Sequence, residues 1–187
     1  MHWLAQPSPE LLSLLFRLDA ASVLTGPDRD PADAVIDPVF AVPFATALAD
    51  LRADAGLCEQ GDGPDPLPLW LASLARNGPP IAASGAARLL DASAPDGTGL
   101  GVLLLDTEPA IPRILGIFTG STLCVDPTLR GRGHGRALAM ARLIRDESLP
   151  TWEHDTPGYS PAGVATLVSA LGALRRMTPE EDPDLSF

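Results

Sequence analysis

The stretch Leu123-Cys124-Val125-Asp126-Pro127-Thr128-Leu129-Arg130-Gly131-Arg132-Gly133-His134-Gly135-Arg136-Ala137-Leu138 gathers residue types that hold anions. Gly131, Gly133 and Gly135 alternate with other residues, so the backbone can approach a ligand with no Cβ in the way. The amides of residues 131–136 can converge on one point as a nest. A helix starting there adds the positive end of its dipole to the same point. Arg130, Arg132 and Arg136 raise the local potential further, and together the set suits a diphosphate. Glycines alone would equally make a tight strand-to-helix turn. The Lys and Ser/Thr of a P-loop are absent, since the chain contains no lysine. A dinucleotide fingerprint also fits badly, because it opens the first β-α unit of a parallel sheet with an acid about 20 residues later.

The charge balance picks out the same segment. The chain has 187 residues, with 13 Lys plus Arg against 24 Asp plus Glu, for a net charge of -11. Residues 127–145 hold Arg130, Arg132, Arg136, Arg142 and Arg145 and no acid, a local +5 that leaves the remainder at -16. A cationic island in an acidic chain marks a site for a small anion. The overall acidity argues against a general nucleic-acid binder. It suits a cationic substrate or simply a solvated acidic surface.

The broad class follows from composition. With 45% hydrophobic residues the chain is too apolar to be disordered. No apolar run reaches the roughly 20 residues needed to cross a bilayer. The start, Met1-His2-Trp3-Leu4, lacks the basic region of a secretion signal, which makes the cytoplasm the expected location. Two cysteines, Cys58 and Cys124, are too few for a disulfide framework and lack metal spacing, so reduced thiols and no metal are expected. Cys124 reads as a small strand residue rather than a nucleophile. Trp3, Trp70 and Trp152 read as core anchors, the last two also able to shape an acceptor pocket.

The elements that must position the loop divide into a helical segment, 1–78, packed on the same domain as a core at 79–187. Ser8-Pro9-Glu10 has the cap, proline and acid of a helix start, with a leucine stripe behind it. Further helices are expected over 43–55 and 67–76. From residue 81 the period changes, predicting strands over 81–91, 101–107 and 113–125, the last bent at Gly116 or Gly120. A helix over 133–147, a short strand over 151–155, a helix over 161–171 and a last strand over 173–178 complete a mixed α/β layout. The acidic tail from 179 onward reads as frayed.

Val125-x-Pro127-x-x-Arg130-Gly131-x-Gly133-x-Gly135-x-x-Leu138 resembles the acyl-CoA signature of the GCN5-related N-acetyltransferase (GNAT) superfamily. Seven defined positions match within fourteen residues, between a strand and a helix. The resemblance covers roughly 81–177 and implies a mostly antiparallel central sheet, splayed at the CoA-binding strand, with helices on both faces. It implies that residues Arg130, Gly131, Arg132, Gly133, His134, Gly135 and Arg136 hold the CoA pyrophosphate, His134 touching phosphate or solvent with its side chain. Leu123, Cys124 and Val125 would pair with the pantetheine arm like an added strand, beside a bulge. The amide of Leu123 or Cys124 would stabilise the oxyanion.

The family's second landmark departs here. Ser160-Pro161-Ala162 opens the next helix, with Ser160 assigned to the cofactor, but counting back from Gly172 puts Val168 where the family carries its tyrosine acid. Protonation of the leaving thiolate would then fall to Tyr159, Ser160, Ser169 or water. Glu153 or His154, on the short strand, is the candidate base, against the plainer reading of exposed polar residues. The implied activity is transfer of acetyl from acetyl-CoA, the co-substrate, to a primary amine by direct attack in a ternary complex. The acceptor would be a protein or small amine, a cationic one suiting the acidic surface, and the enzyme a monomer or homodimer working without nucleic acid, membrane or metal. A non-catalytic acyl-CoA-binding or regulatory module on the same scaffold is the other reading.

Overall fold

A short run at residues 2–3 and strand-forming runs over 80–125 build one antiparallel sheet in sequence order, β1-β2-β3-β4-β5-β6. The strands are β1 (His2–Trp3), β2 (Pro80–Ser84), β3 (Ala87–Ser93), β4 (Gly99–Asp106), β5 (Arg113–Thr119) and β6 (Thr122–Val125). Among the described residues five α-helices accompany them: α1 (Pro9–Arg17), α2 (Phe44–Asp54), α3 (Leu67–Asn77), α4 (His134–Asp146) and α5 (Pro161–Arg175). The structure is a computed structural model and describes residues 1–17, 42–57, 63–147 and 160–177.

Helices cover both faces of the sheet, which explains why β4 reads as a continuous apolar run rather than an alternation. Val102, Leu103, Leu104 and Leu105 are all fully buried. Val102 and Leu104 join Leu11 and Leu15 of α1, Leu138 of α4 and Leu171 and Leu174 of α5 in one core. Leu103 and Leu105 join Leu51 of α2 and Trp70, Leu71 and Leu74 of α3 in the other. Trp70 anchors that second core and donates its indole N–H to Ser93 O at 3.1 Å. The described helices ahead of residue 78 thus contribute to the two cores on either face of the sheet. Arg175 of α5 donates to Leu15 O of α1 at 3.1 Å, tying these two helices together.

Local signals set the helix ends. Ser8 Oγ accepts the Leu11 N–H at 3.1 Å ahead of α1, a cap that contributes about 1 kcal/mol. At α5, Ser160 Oγ accepts the Gly163 N–H at 3.1 Å.

Several expected boundaries move. The strand expected over 81–91 is two strands, β2 and β3, reversed at Gly85, whose φ of 57° places it in the left-handed region. The long strand expected over 113–125 is likewise a hairpin. β5 and β6 meet at Gly120 (φ 50°), and Thr119 pairs with Thr122. The last strand expected over 173–178 does not form among the described residues, because α5 runs on through Gly172 to Arg175. β1, inside the segment read as helical, pairs Trp3 with Ala82 at the far edge of the sheet. The short strand expected over 151–155 and the tail after 177 lie outside the described residues.

The bulge lies elsewhere than expected. β5 and β6 pair in unbroken register from Gly116↔Val125 to Thr119↔Thr122. The shift nearest the loop comes between β4 and β5, where Leu104 pairs with Gly116 and Leu105 with Ile114, leaving Leu115 as the extra residue. The bulge lets Ile114 and Ile117, three apart, both face the α2/α3 core, while Leu115 and Phe118 face the other. Beside it, a Cβ on Gly116 would come within 2.6 Å of Leu138 Cδ1, so this glycine is where α4 packs directly on the sheet.

Candidate functional site

Asp126 fixes the exit from β6. Its backbone N–H donates to Leu115 O at 3.0 Å, continuing the β5–β6 register. Its side chain caps the turn Pro127–Leu129, accepting the Thr128 N–H at 2.9 Å and the Thr128 hydroxyl at 2.6 Å, and also pairs with Arg113. The Thr128 hydrogen bonds, and after them Arg113, hold the Asp126 carboxyl below its ordinary value of 3.8.

Antiparallel ladders alternate, so this register fixes where β6 points its backbone. With Asp126 bonded to Leu115, Cys124 is turned toward Ile117 of β5. Leu123 and Val125 therefore aim their N–H and C=O groups at the outer edge, where no strand pairs with them among the described residues.

After the turn, Gly131 (φ 75°) and Gly133 (φ 80°) take left-handed conformations that side chains rarely adopt. The chain then enters α4 with Gly133 at its N-cap and no side-chain cap hydrogen bond. The first intrahelical bond runs from Ala137 N–H to Gly133 O at 3.0 Å. The amides of His134, Gly135 and Arg136, at the start of a 13-residue helix, therefore have no helical partner.

These parts border one cavity of about 560 Å³. β6 contributes Leu123, Cys124 and Val125; the loop and helix start contribute Arg130, Gly131, Gly133, His134, Gly135 and Arg136; and Ser160 opens the α5 wall. Arg132 is the exception among the residues assigned to the cofactor, since it faces a neighbouring recess. Among the lining residues that escaped the sequence reading, three stand out. Thr122 begins β6, Thr166 faces in from α5, and Val42 arrives from far upstream, its carbonyl accepting the Cys124 thiol at 3.2 Å. The chemistry-bearing pattern gives no hint of Val42; the α5 spacing from Ser160 hints at Thr166.

The arginines of the cationic island part company. Arg142 pairs with Asp146, and Arg145 with Asp91 and Asp146. Arg142 also lies over the Phe118 ring, 5.6 Å from its centroid. Both lie further along α4, roughly 9 and 14 Å along the axis from Arg136. Among the described residues, Arg130, Arg132 and Arg136 have no carboxylate within ion-pair distance. The charge available at the loop is therefore three guanidiniums, not five.

The titratable lining is otherwise muted. Burial, and then Arg132, push His134 below 6.5, favouring neutral imidazole at pH 7. Burial pushes the Cys124 thiol above 9.0 against the pull of Arg130, which removes it as a nucleophile. The Ser160 hydroxyl is engaged in capping α5. Val168 is 39% exposed and does not line the cavity, whereas Ser169 does. Glu153, His154 and Tyr159 lie outside the described residues, as does Trp152. No cluster of metal-ligating side chains occurs among the described residues. None of their helices is long and apolar enough to cross a membrane.

No family model, curated protein or solved structure matches the chain.

Proposed function

We propose that the protein is an acyl-CoA-dependent N-acyltransferase that moves acetyl from acetyl-CoA to a primary amine. One observation carries this reading. Among the described residues, the N-terminus of α4 has no side-chain cap, Arg130 and Arg136 beside it have no carboxylate partner, and it opens onto the same cavity as the β6 edge that no strand pairs. A ligand suited to that cavity has an anionic group at one end and an extended, amide-bearing arm at the other. Coenzyme A has both, and its acyl thioester supplies the activated acyl group.

In this reading the amides of residues 131–136, with Arg130 and Arg136, hold the diphosphate. The outward groups of Leu123 and Val125 pair with the pantetheine amides, as an added strand would. Because Cys124 is turned into the ladder, the Leu123 N–H is the better placed to polarise a thioester carbonyl. The amine must arrive neutral and within about 3 Å of that carbonyl. Glu153 or His154 takes its proton. Ser169, on the cavity wall, or Tyr159 returns one to the departing thiolate. The setting is the cytoplasm, and the acceptor an amine, cationic before it gives up its proton.

Calorimetry with CoA, ATP and NAD, followed by thiol release from acetyl-CoA over a panel of amines, tests the reading. CoA should bind most tightly, and at least one amine should release thiol. ATP or NAD rivalling CoA overturns the cofactor assignment. Tight CoA binding with no release on any amine replaces the enzyme with a binding module.

A further inference from the structure

On the other flank of the glycine loop lies a second cavity, of about 580 Å³. It shares Gly133, His134 and Arg136 with the first, whereas Arg132 and Arg176 line it alone. Trp3, Met140 and Met177 supply apolar walls, and among the described residues no aspartate or glutamate lines it. None of Arg132, Arg136 and Arg176 has a carboxylate within ion-pair distance among the described residues. The same chain gives Arg52, Arg113, Arg142 and Arg145 a carboxylate each.

Helix electrostatics do not account for the grouping. Arg176, at the C-cap of α5, stands where a cation is favoured, but Arg136 stands in the first turn of α4, where it is not. Guanidiniums brought to one recess repel each other until an anion joins them. Their forked donors match the paired oxygens of a phosphate.

We propose that this second cavity binds a phosphomonoester carried on an apolar body, with Arg132, Arg136 and Arg176 on the phosphate and Trp3, Met140 and Met177 against the body. Two sources carry that chemistry. One is a separate phosphorylated small molecule. The other is the terminal phosphomonoester of a coenzyme A spanning both cavities through Arg136, and only this source rests on the function proposed above.

The test uses phenyl phosphate, CoA and dephospho-CoA, which lacks the terminal phosphomonoester, titrated against the native chain and Arg176→Gln. Phenyl phosphate should bind the native chain and lose about fivefold or more in affinity in the variant, with the melting temperature unchanged. If CoA binds about tenfold tighter than dephospho-CoA and Arg176→Gln erases that gap, the cofactor is the source. If the two bind alike and phenyl phosphate still binds the CoA-saturated protein, the ligand is a separate one. Should Arg176→Gln fail to fold, Arg132→Gln gives the same reading. The site is overturned if a folded variant leaves all three affinities within about twofold of native, or if the native chain neither binds phenyl phosphate nor prefers CoA to dephospho-CoA. Absence of CoA binding with phenyl phosphate still sensitive to Arg176→Gln would sink the enzyme reading and leave this site standing.

Discussion

Arg142 and Arg145, in the last two turns of α4, have Asp146 and Asp91 beside them, whereas Arg136 in the first turn, with Arg130 and Arg132 just ahead of it, has no carboxylate among the described residues. A cation near a helix C-terminus gains about 0.3–1 kcal/mol from the dipole, and one near the N-terminus loses a similar amount. The C-terminal pair therefore serves the fold, joining α4 to β3 through Asp91. The N-terminal group works against the helix that carries it. A net charge counted along the sequence merges these two populations, and the carboxylates separate them.

The two ends of α4 share one support in the core. Leu138 is fully buried against the sheet beside Gly116, and Leu138→Ala should lower stability by about 2–5 kcal/mol in urea denaturation. Both ends of α4 should loosen together; a loss confined to one end would show that they are supported independently. Next in size is Gly133→Asp, which sets a carboxylate at the N-cap and should weaken CoA binding more than about tenfold, or ~1.4 kcal/mol, by calorimetry. Aspartate tolerates the left-handed backbone better than most residues, so the variant should fold. Unchanged affinity in a folded variant would falsify the placement of the diphosphate.

Smaller effects should divide cleanly between the two ends. Arg136→Gln should weaken CoA about three- to tenfold while leaving the melting temperature equal or higher. Arg145→Gln should lower stability by about 0.5–1 kcal/mol and leave CoA affinity alone. An exchange of those outcomes would mean that Arg145 serves the ligand and Arg136 the fold. The smallest effect is a proton equilibrium. His134 should titrate below 6.5 by NMR in the free protein and move upward when CoA adds negative charge nearby. Its folded-state value is depressed, so the unfolded chain takes up the proton first. Its contribution to stability should be complete above 6.5 and decline as pH falls below that.

Most of the helix layer was legible because capping and periodicity are local: Ser8-Pro9-Glu10 opens α1, and Gly78 follows α3. The mixed α/β class was legible from the change of period at residue 81. The β5–β6 hairpin was not, since Ile117 to Cys124 reads as one β-rich stretch and Gly120 fits a bend as well as a reversal. Gly172 misled in the opposite sense. A mid-helix glycine costs only about 1 kcal/mol, and the leucines of α5 outweigh it. The left-handed glycine loop leading into α4 was readable because glycine spacing acts through the backbone within a few residues. The sorting of the arginines was not, because Asp91 is 54 residues from Arg145. The Val42 wall, 82 residues from Cys124, is equally remote.

That last contact turns one sulfur into a clock. The Cys124 thiol is 8% exposed, keeps its proton, and is bonded to the carbonyl of a residue just ahead of α2. An alkylating reagent needs a thiolate with open access. In a Cys58→Ser background its labelling rate would report how often the α2 end of the molecule parts from β6, and thus how often the cavity gains a second mouth.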